Sequence, residues 1–172
     1  MKRLDVLIEI LLWVLVINMA VALGAGLYEA IIEIPQWYSI SDGYYTWDNT
    51  RALDANVLHN FWTSFALIPL SIQCGLMWVL LWWTKGTVRK WFLAAAMVLL
   101  IERGLTLGHY APTLVALLQN KIPDPEISRA VMNWVQLNYV RQAALVIAFL
   151  TTLVTFALVR KGVGSRHKDH QP

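Results

Sequence analysis

The strongest constraint in the sequence is the uncharged run over residues 10–28, inside an apolar segment of about residues 4–34. Three further apolar segments cover about residues 58–84, 91–110 and 130–159. A bilayer core about 30 Å thick needs roughly 20 apolar residues in a helix that rises about 1.5 Å per residue. No alternating pattern of comparable length predicts the strands of a membrane barrel. The sequence therefore predicts an all-α fold, an integral membrane four-helix bundle.

The composition excludes several classes of protein. Hydrophobic residues make up 58% of the chain and charged residues 15%, against about 45–50% and 25% in ordinary soluble domains. A disordered chain, a nucleic-acid-binding basic domain and a conventional soluble enzyme are excluded on this ground. The single cysteine, Cys74, also excludes an intrachain disulfide and a multi-thiolate metal site.

The distribution of basic residues predicts the orientation in the membrane. Nine of the 14 Lys and Arg lie at the two ends of the chain or between the second and third segments. They are Lys2, Arg3, Lys85, Arg89, Lys90, Arg160, Lys161, Arg166 and Lys168. By the positive-inside rule both termini are cytoplasmic, as in a multi-pass protein of the bacterial inner membrane. Residues 1–161 then form one transmembrane domain, and residues 162–172 form a polar cytoplasmic tail.

Two loops are expected on the outer side, over about residues 35–57 and 111–129. The first is rich in Trp and Tyr, which suits either a belt at the headgroup level or a lid over an opening between helices. In the second, Pro112 is expected to end the third segment, and Pro123 and Pro125 to delay the fourth.

Several ionisable residues lie deep in the predicted bilayer. Glu102 follows Lys90 by 12 residues, which places it about 18 Å along the helix. Arg141 precedes Arg160 by 19 residues, or about 28 Å. Charged groups at this depth are functional by default. We predict as catalytic residues Glu29, Glu102, Arg103 and Arg141; as substrate-binding residues Trp62, Tyr110, Trp134 and Asn138; and as metal ligands His59 and His109.

Helical spacing predicts which side chains of the third segment share a face. Glu102, Thr106 and His109 fall on one stripe, and Arg103 and Tyr110 on a neighbouring one. Because adjacent helical residues point about 100° apart, we expect Glu102 and Arg103 to need partners on other helices.

On the fourth segment Trp134, Asn138 and Arg141 align. Polar stripes from four helices predict a polar pocket in the outer half of the bundle. The alternative is that some polar residues only join helices, at about 0.6 kcal/mol each. The residues that suit this second role best are Asn18, Gln73, Thr106 and Thr152.

The residues leave three kinds of function open. A metal or haem site for iron or copper would use His59 and His109 with nearby carboxylates, although no metal-binding spacing is present. Acid–base chemistry on a lipophilic molecule would use a buried carboxylic acid, with Arg103 or Arg141 stabilising an enolate or phenolate. A scaffold or small transporter subunit would need no chemistry, and a homodimer would supply further spans.

Three short motifs carry a family resemblance: Phe61-Trp62 with Pro69-Leu70, Glu102-Arg103 with Pro112, and Trp134, Asn138 and Arg141. With them the chain resembles the DUF1772, or anthrone oxygenase-like, family of small four-helix membrane proteins. The resemblance implies a membrane oxidoreductase acting on a lipophilic aromatic molecule, since some members are linked to oxidation of polyketide anthrones to anthraquinones. It implies functional roles for Asn138 and Arg141.

Overall fold

Helices account for most of the chain, as the apolar segments predict. The structure is a computed structural model that describes residues 2–54 and 67–168, with side chains described for residues 6–54 and 67–160. The elements, in chain order, are α1 (Lys2–Tyr28), β1 (Tyr38–Ser41), β2 (Tyr44–Trp47), α2 (Asn49–Asp54), α3 (Ile68–Leu80), α4 (Gly86–Leu105), α5 (Ala111–Leu118) and α6 (Asp124–Lys168).

Three helical stretches are long and apolar enough to cross a membrane. They are Val6–Gln36, Gly86–Leu118 and Asp124–Arg160, and α3 is a shorter apolar helix. This agrees with the all-α class and indicates a membrane location. The start of the predicted second segment, residues 58–66, lies outside the described residues. A fourth spanning helix therefore stays a prediction.

The first and last long helices run antiparallel, which two ion pairs at opposite ends make clear. Near the chain termini Arg160 Nε lies 3.7 Å from Glu9 Oε1, and near the other end Arg141 Nη2 lies 3.6 Å from Glu29 Oε2. We call the half with the Glu9–Arg160 pair the terminal half. The half that contains β1 and β2 is the hairpin half.

The terminal half is held by apolar packing. The side chains of Leu12, Met19, Phe92 and Leu99 are almost completely buried, and all belong to one cluster shared by α1, α3, α4 and α6. Apolar side chains interdigitate here much as in a soluble core, so dispersion contacts hold these helices together.

The hairpin half carries a short antiparallel sheet that the sequence analysis treats as a loop. Strands β1 and β2 pair in the register Tyr38 to Trp47, and Asp42 and Gly43 join them. Both turn residues have positive φ, +51° and +81°, the combination that a tight two-residue hairpin requires. The backbone N–H of Tyr45 donates to Ser128 Oγ at 2.8 Å. The hairpin is thereby fixed to the start of α6.

The predicted effect of the prolines is wrong. The third helical stretch continues to Leu118, and α6 begins at Asp124 instead of near residue 130. Pro125 lies in the first turn of α6, where the missing N–H of proline breaks no intrahelical bond. Pro112 lies just after the π-helical turn Thr106–Tyr110, and the helical stretch continues through it into α5. Neither proline ends a helix.

Candidate functional site

The candidate site begins with a buried ion pair between α1 and α6. Just after α1, a π-helical turn, Glu29–Glu33, carries the Glu29 carboxylate into the interior. Glu29 and Arg141 are both about 95% buried, and they meet at 3.6 Å between Oε2 and Nη2. A buried pair of this kind is kept only where each charge has good partners.

Neighbouring residues fix the Arg141 side chain further. Asn138, one turn earlier on α6, accepts hydrogen bonds at Oδ1 from Arg141 Nε at 3.2 Å and from Nη2 at 2.9 Å. The guanidinium carbon lies 4.0 Å from the centre of the Tyr110 ring, a cation–π geometry that is strongest away from water. Arg141 is thus oriented by three different side chains from three helical stretches.

A column of aromatic rings continues from Tyr110 toward the hairpin. The Tyr110 and Trp134 rings are stacked at 4.9 Å, and Trp134 stacks on Trp37 at 6.2 Å. Trp47 of β2 meets Trp134 edge to face. The Trp134 indole N–H donates to the Tyr110 carbonyl oxygen at 3.1 Å. The loop aromatics Trp37 and Trp47 therefore pack against the helices.

The Tyr38 phenol of the hairpin stays neutral at physiological pH. Burial raises the pKa of the Tyr38 hydroxyl above its ordinary value, and the neighbouring Tyr139 and Tyr45 act in the same direction. Ionisation of Tyr38 is therefore not expected to loosen the hairpin near neutral pH.

A π-helical turn also changes the predicted face of the third helical stretch. Thr106–Tyr110 adopts this wider turn between α4 and α5, which adds one residue per turn and shifts the helical phase. As a result Tyr110 continues the buried stripe of Glu102 and Thr106, whereas His109 is exposed. The expectation that His109 shares the face of Glu102 is wrong.

The expectation that Glu102 and Arg103 need separate partners on other helices is also wrong. Arg103 Nε lies 2.5 Å from Glu102 Oε2, and its Nη2 lies 2.8 Å from Oε1. The long arginine side chain bends back along α4, so the two groups meet although their Cβ atoms diverge. The Thr106 hydroxyl donates to Glu102 Oε1 at 2.9 Å. The Glu102 carboxylate therefore accepts three hydrogen bonds from its own helical stretch.

Three buried polar atoms near these pairs lack a hydrogen-bond partner in the structure of residues 6–54 and 67–160. They are Arg103 Nη1, Tyr110 Oη and Gln142 Oε1. Each belongs to a residue that is about 95% buried. An unpartnered polar atom away from water costs about 1–3 kcal/mol. Each such atom marks a position where a ligand or a water molecule would be stabilised.

Gln142 is the site residue that the sequence analysis misses. It lies one position after Arg141 and four after Asn138, so helical spacing alone would have placed it beside the predicted polar stripe. An uncharged glutamine is weak evidence of a functional site by itself, whereas charged residues at this depth are strong evidence.

The structure places the other predicted site residues in three groups. Glu29, Tyr110, Trp134, Asn138 and Arg141 come together, Glu102 and Arg103 form their own pair, and His109 faces outward. The predicted residues His59 and Trp62 lie outside the described residues. Within the part of the chain that is described, no three His, Cys, Asp or Glu side chains meet as a metal site would require. A metal or haem site that includes His59 stays a prediction.

The chemistry of the site follows from its charges and its free polar atoms. Two carboxylates and two guanidinium groups balance one another, so the described side chains of the site favour a neutral ligand. Trp134 and Asn138 are occupied in holding Tyr110 and Arg141. Tyr110 and Arg103, in contrast, each keep a polar atom available for a ligand.

Comparison with known proteins adds no relative to this description. No protein family model matches the chain, and neither a curated protein nor a solved structure is detectably similar to it.

Proposed function

We propose that the chain is a four-span protein of the bacterial inner membrane with both termini in the cytoplasm. The antiparallel course of α1 and α6, with Glu9 beside Arg160, supports an even number of crossings. The basic residues gathered at that end favour the cytoplasmic side.

Labelling of single cysteines with a membrane-impermeant maleimide tests this topology. In a Cys74→Ser background, a cysteine at Ser41 in the hairpin should be labelled from the outer side. A cysteine at Thr87 at the start of α4 should be labelled only after the membrane is opened. Two reporters, one fused at each terminus, should both be inside. Termini on opposite sides would contradict the four-span proposal.

We propose further that the hairpin half binds a lipophilic aromatic molecule and oxidises it, as an anthrone oxygenase-like oxidoreductase. The observation that carries this proposal is the buried Arg141, stacked on Tyr110 and paired with Glu29. Charged groups kept this deep in a membrane protein are rarely only structural. The unpartnered atoms of Tyr110 and Arg103 supply polar contacts for a bound molecule.

In this proposal the protein's side chains act on a proton and a developing charge. A carboxylate, Glu29, accepts a proton from the ring methylene of the substrate. The resulting enolate oxygen accepts a hydrogen bond from Arg103 Nη1, and the guanidinium stabilises its charge. The carbanion carbon then reacts with O₂. One oxygen atom becomes the new carbonyl oxygen and the other leaves as water, so that CH₂ and O₂ give C=O and H₂O.

Turnover of anthrone by the protein in lipid nanodiscs tests the reaction. We expect O₂ consumption and anthraquinone absorbance to rise together, in a 1:1 ratio, above the rate with empty nanodiscs. Arg103→Met should abolish this excess, whereas Arg160→Met in the terminal half should leave it unchanged. Saturable binding of anthrone without turnover would reduce the proposal to a binding protein. If the protein neither binds anthrone nor turns it over, the proposal is contradicted.

A further inference from the structure

Gln142 has an unusual place between α1 and α6. Its side chain is about 95% buried, and its carboxamide oxygen has no partner in the described structure. The carboxamide lies directly over the backbone of Gly26 on α1. A Cβ atom at Gly26 would come within 2.6 Å of both Gln142 Oε1 and Gln142 Nε2. Only glycine leaves room for the side chain in this position.

The position of Gln142 ties it to the candidate site. On α6 it follows Arg141, and on α1 its contact Gly26 precedes Glu29 by three residues. The carboxamide therefore lies about one helical turn from the Glu29–Arg141 pair.

The free polar atoms of the site differ in what they can bind. Arg103 Nη1 can only donate hydrogen bonds, and Tyr110 Oη is both a donor and an acceptor. Gln142 Oε1 can only accept. A neutral ligand that satisfies this atom must carry an O–H or N–H group.

We propose that Gln142 Oε1 accepts a hydrogen bond from a hydroxyl group of the bound lipophilic aromatic molecule. This inference rests on the binding function proposed above. Gln142 is then a specificity-determining residue. It favours hydroxylated aromatic lipophiles over analogues that lack the donor, because such an analogue leaves the buried oxygen unpaired.

Two small probes that differ in one donor test this role. 2-Naphthol carries a hydroxyl, and 2-methoxynaphthalene keeps the ring and the oxygen but donates no hydrogen bond. Binding to the full-length protein in nanodiscs is measured by equilibrium dialysis, with empty nanodiscs as the partition blank. We expect the wild type to prefer 2-naphthol by about tenfold. Gln142→Met, which keeps the length of the side chain, should reduce the preference to about twofold or less.

A matched pair of glycine variants tests the same contact without changing Gln142. Gly26→Ala must displace the carboxamide, whereas a Cβ at Gly24 meets nothing within 4 Å. Both variants add one methyl group to the same helix. Gly26→Ala should therefore lower the preference for 2-naphthol as Gln142→Met does, and Gly24→Ala should preserve it.

The outcomes separate this inference from the function on which it rests. Saturable binding of both probes with no preference, or a preference that survives Gln142→Met and Gly26→Ala, would overturn the role of Gln142 alone. Absence of saturable binding of either probe to the wild type would overturn the proposed binding function as well. The role of Gln142 would be established if Gln142→Met and Gly26→Ala both lose the preference for 2-naphthol and Gly24→Ala keeps it.

Discussion

The two halves of the molecule use the same helices in different ways. In the terminal half, α1, α4 and α6 meet through side chains such as Met19 and Phe92, and the ion pair there, Glu9–Arg160, is partly exposed. In the hairpin half the same helical stretches bury the ion pair of Glu29 and Arg141. The two halves therefore differ in whether their helices bury charged groups or only apolar ones. In the proposed function, the buried charges of the hairpin half would act on a ligand as well as join helices.

The largest effect is expected from breaking the Glu29–Arg141 ion pair, with the Glu9–Arg160 pair as the comparison. Arg141→Met leaves Glu29 buried without its cation, which should lower the free energy of unfolding by about 3–5 kcal/mol. Arg160→Met removes a mostly exposed partner of Glu9 and should cost at most about 1 kcal/mol. Reversible unfolding in mixed detergent micelles, followed by circular dichroism, gives both values.

A second substitution checks the cause of the Arg141 effect. In the Arg141→Met background, Glu29→Gln removes the isolated charge and should recover part of the lost stability. Equal costs for Arg141→Met and Arg160→Met would mean that the halves do not differ in the way described.

A cavity in the terminal half should separate stability from binding. Met19 is fully buried, so Met19→Ala is expected to lower the free energy of unfolding by about 2–5 kcal/mol. The affinity for 2-naphthol at a temperature where the variant is folded should remain that of the wild type. A parallel loss of affinity would show that the two halves are not independent.

The smallest effect is expected where the hairpin meets α6. Ser128→Ala removes the acceptor of the Tyr45 N–H bond, a loss of about 0.5–1.5 kcal/mol. Hydrogen exchange at the Tyr45 amide should accelerate by about tenfold at most, and exchange in α4 should not change. Protection of Tyr45 equal to that of the wild type would mean that the aromatic contacts alone hold the hairpin.

Much of the fold follows from the sequence because apolar length is a strong signal. The first and last apolar segments lie in helices long enough to cross a membrane, although α6 begins earlier than predicted. Trp134, Asn138 and Arg141 are all buried, as their predicted alignment requires. The hairpin was predictable too, since Asp42-Gly43 between aromatic residues is a hairpin signal. The aromatic content of the loop alone does not distinguish a hairpin from a belt or a lid.

The site was harder to predict, for reasons of geometry. A regular helix assigns His109 to the face of Glu102, and only the π-helical turn replaces it with Tyr110. No simple pattern in the sequence marks such a turn. Helical spacing predicts Cβ directions only, and these do not bring Glu102 and Arg103 together. Arginine is long enough to overcome that difference.

The stacked rings of Trp37, Trp134 and Tyr110 have an optical consequence. Aromatic side chains held rigidly in an asymmetric stack absorb left and right circularly polarised ultraviolet light unequally, and this signal vanishes when fixed packing is lost. The column joins the segment before the hairpin to α4–α5 and α6, so its near-ultraviolet band reports whether the hairpin segment is packed on the helices. Near-ultraviolet circular dichroism therefore measures the packing of the hairpin half, where the proposed chemistry takes place.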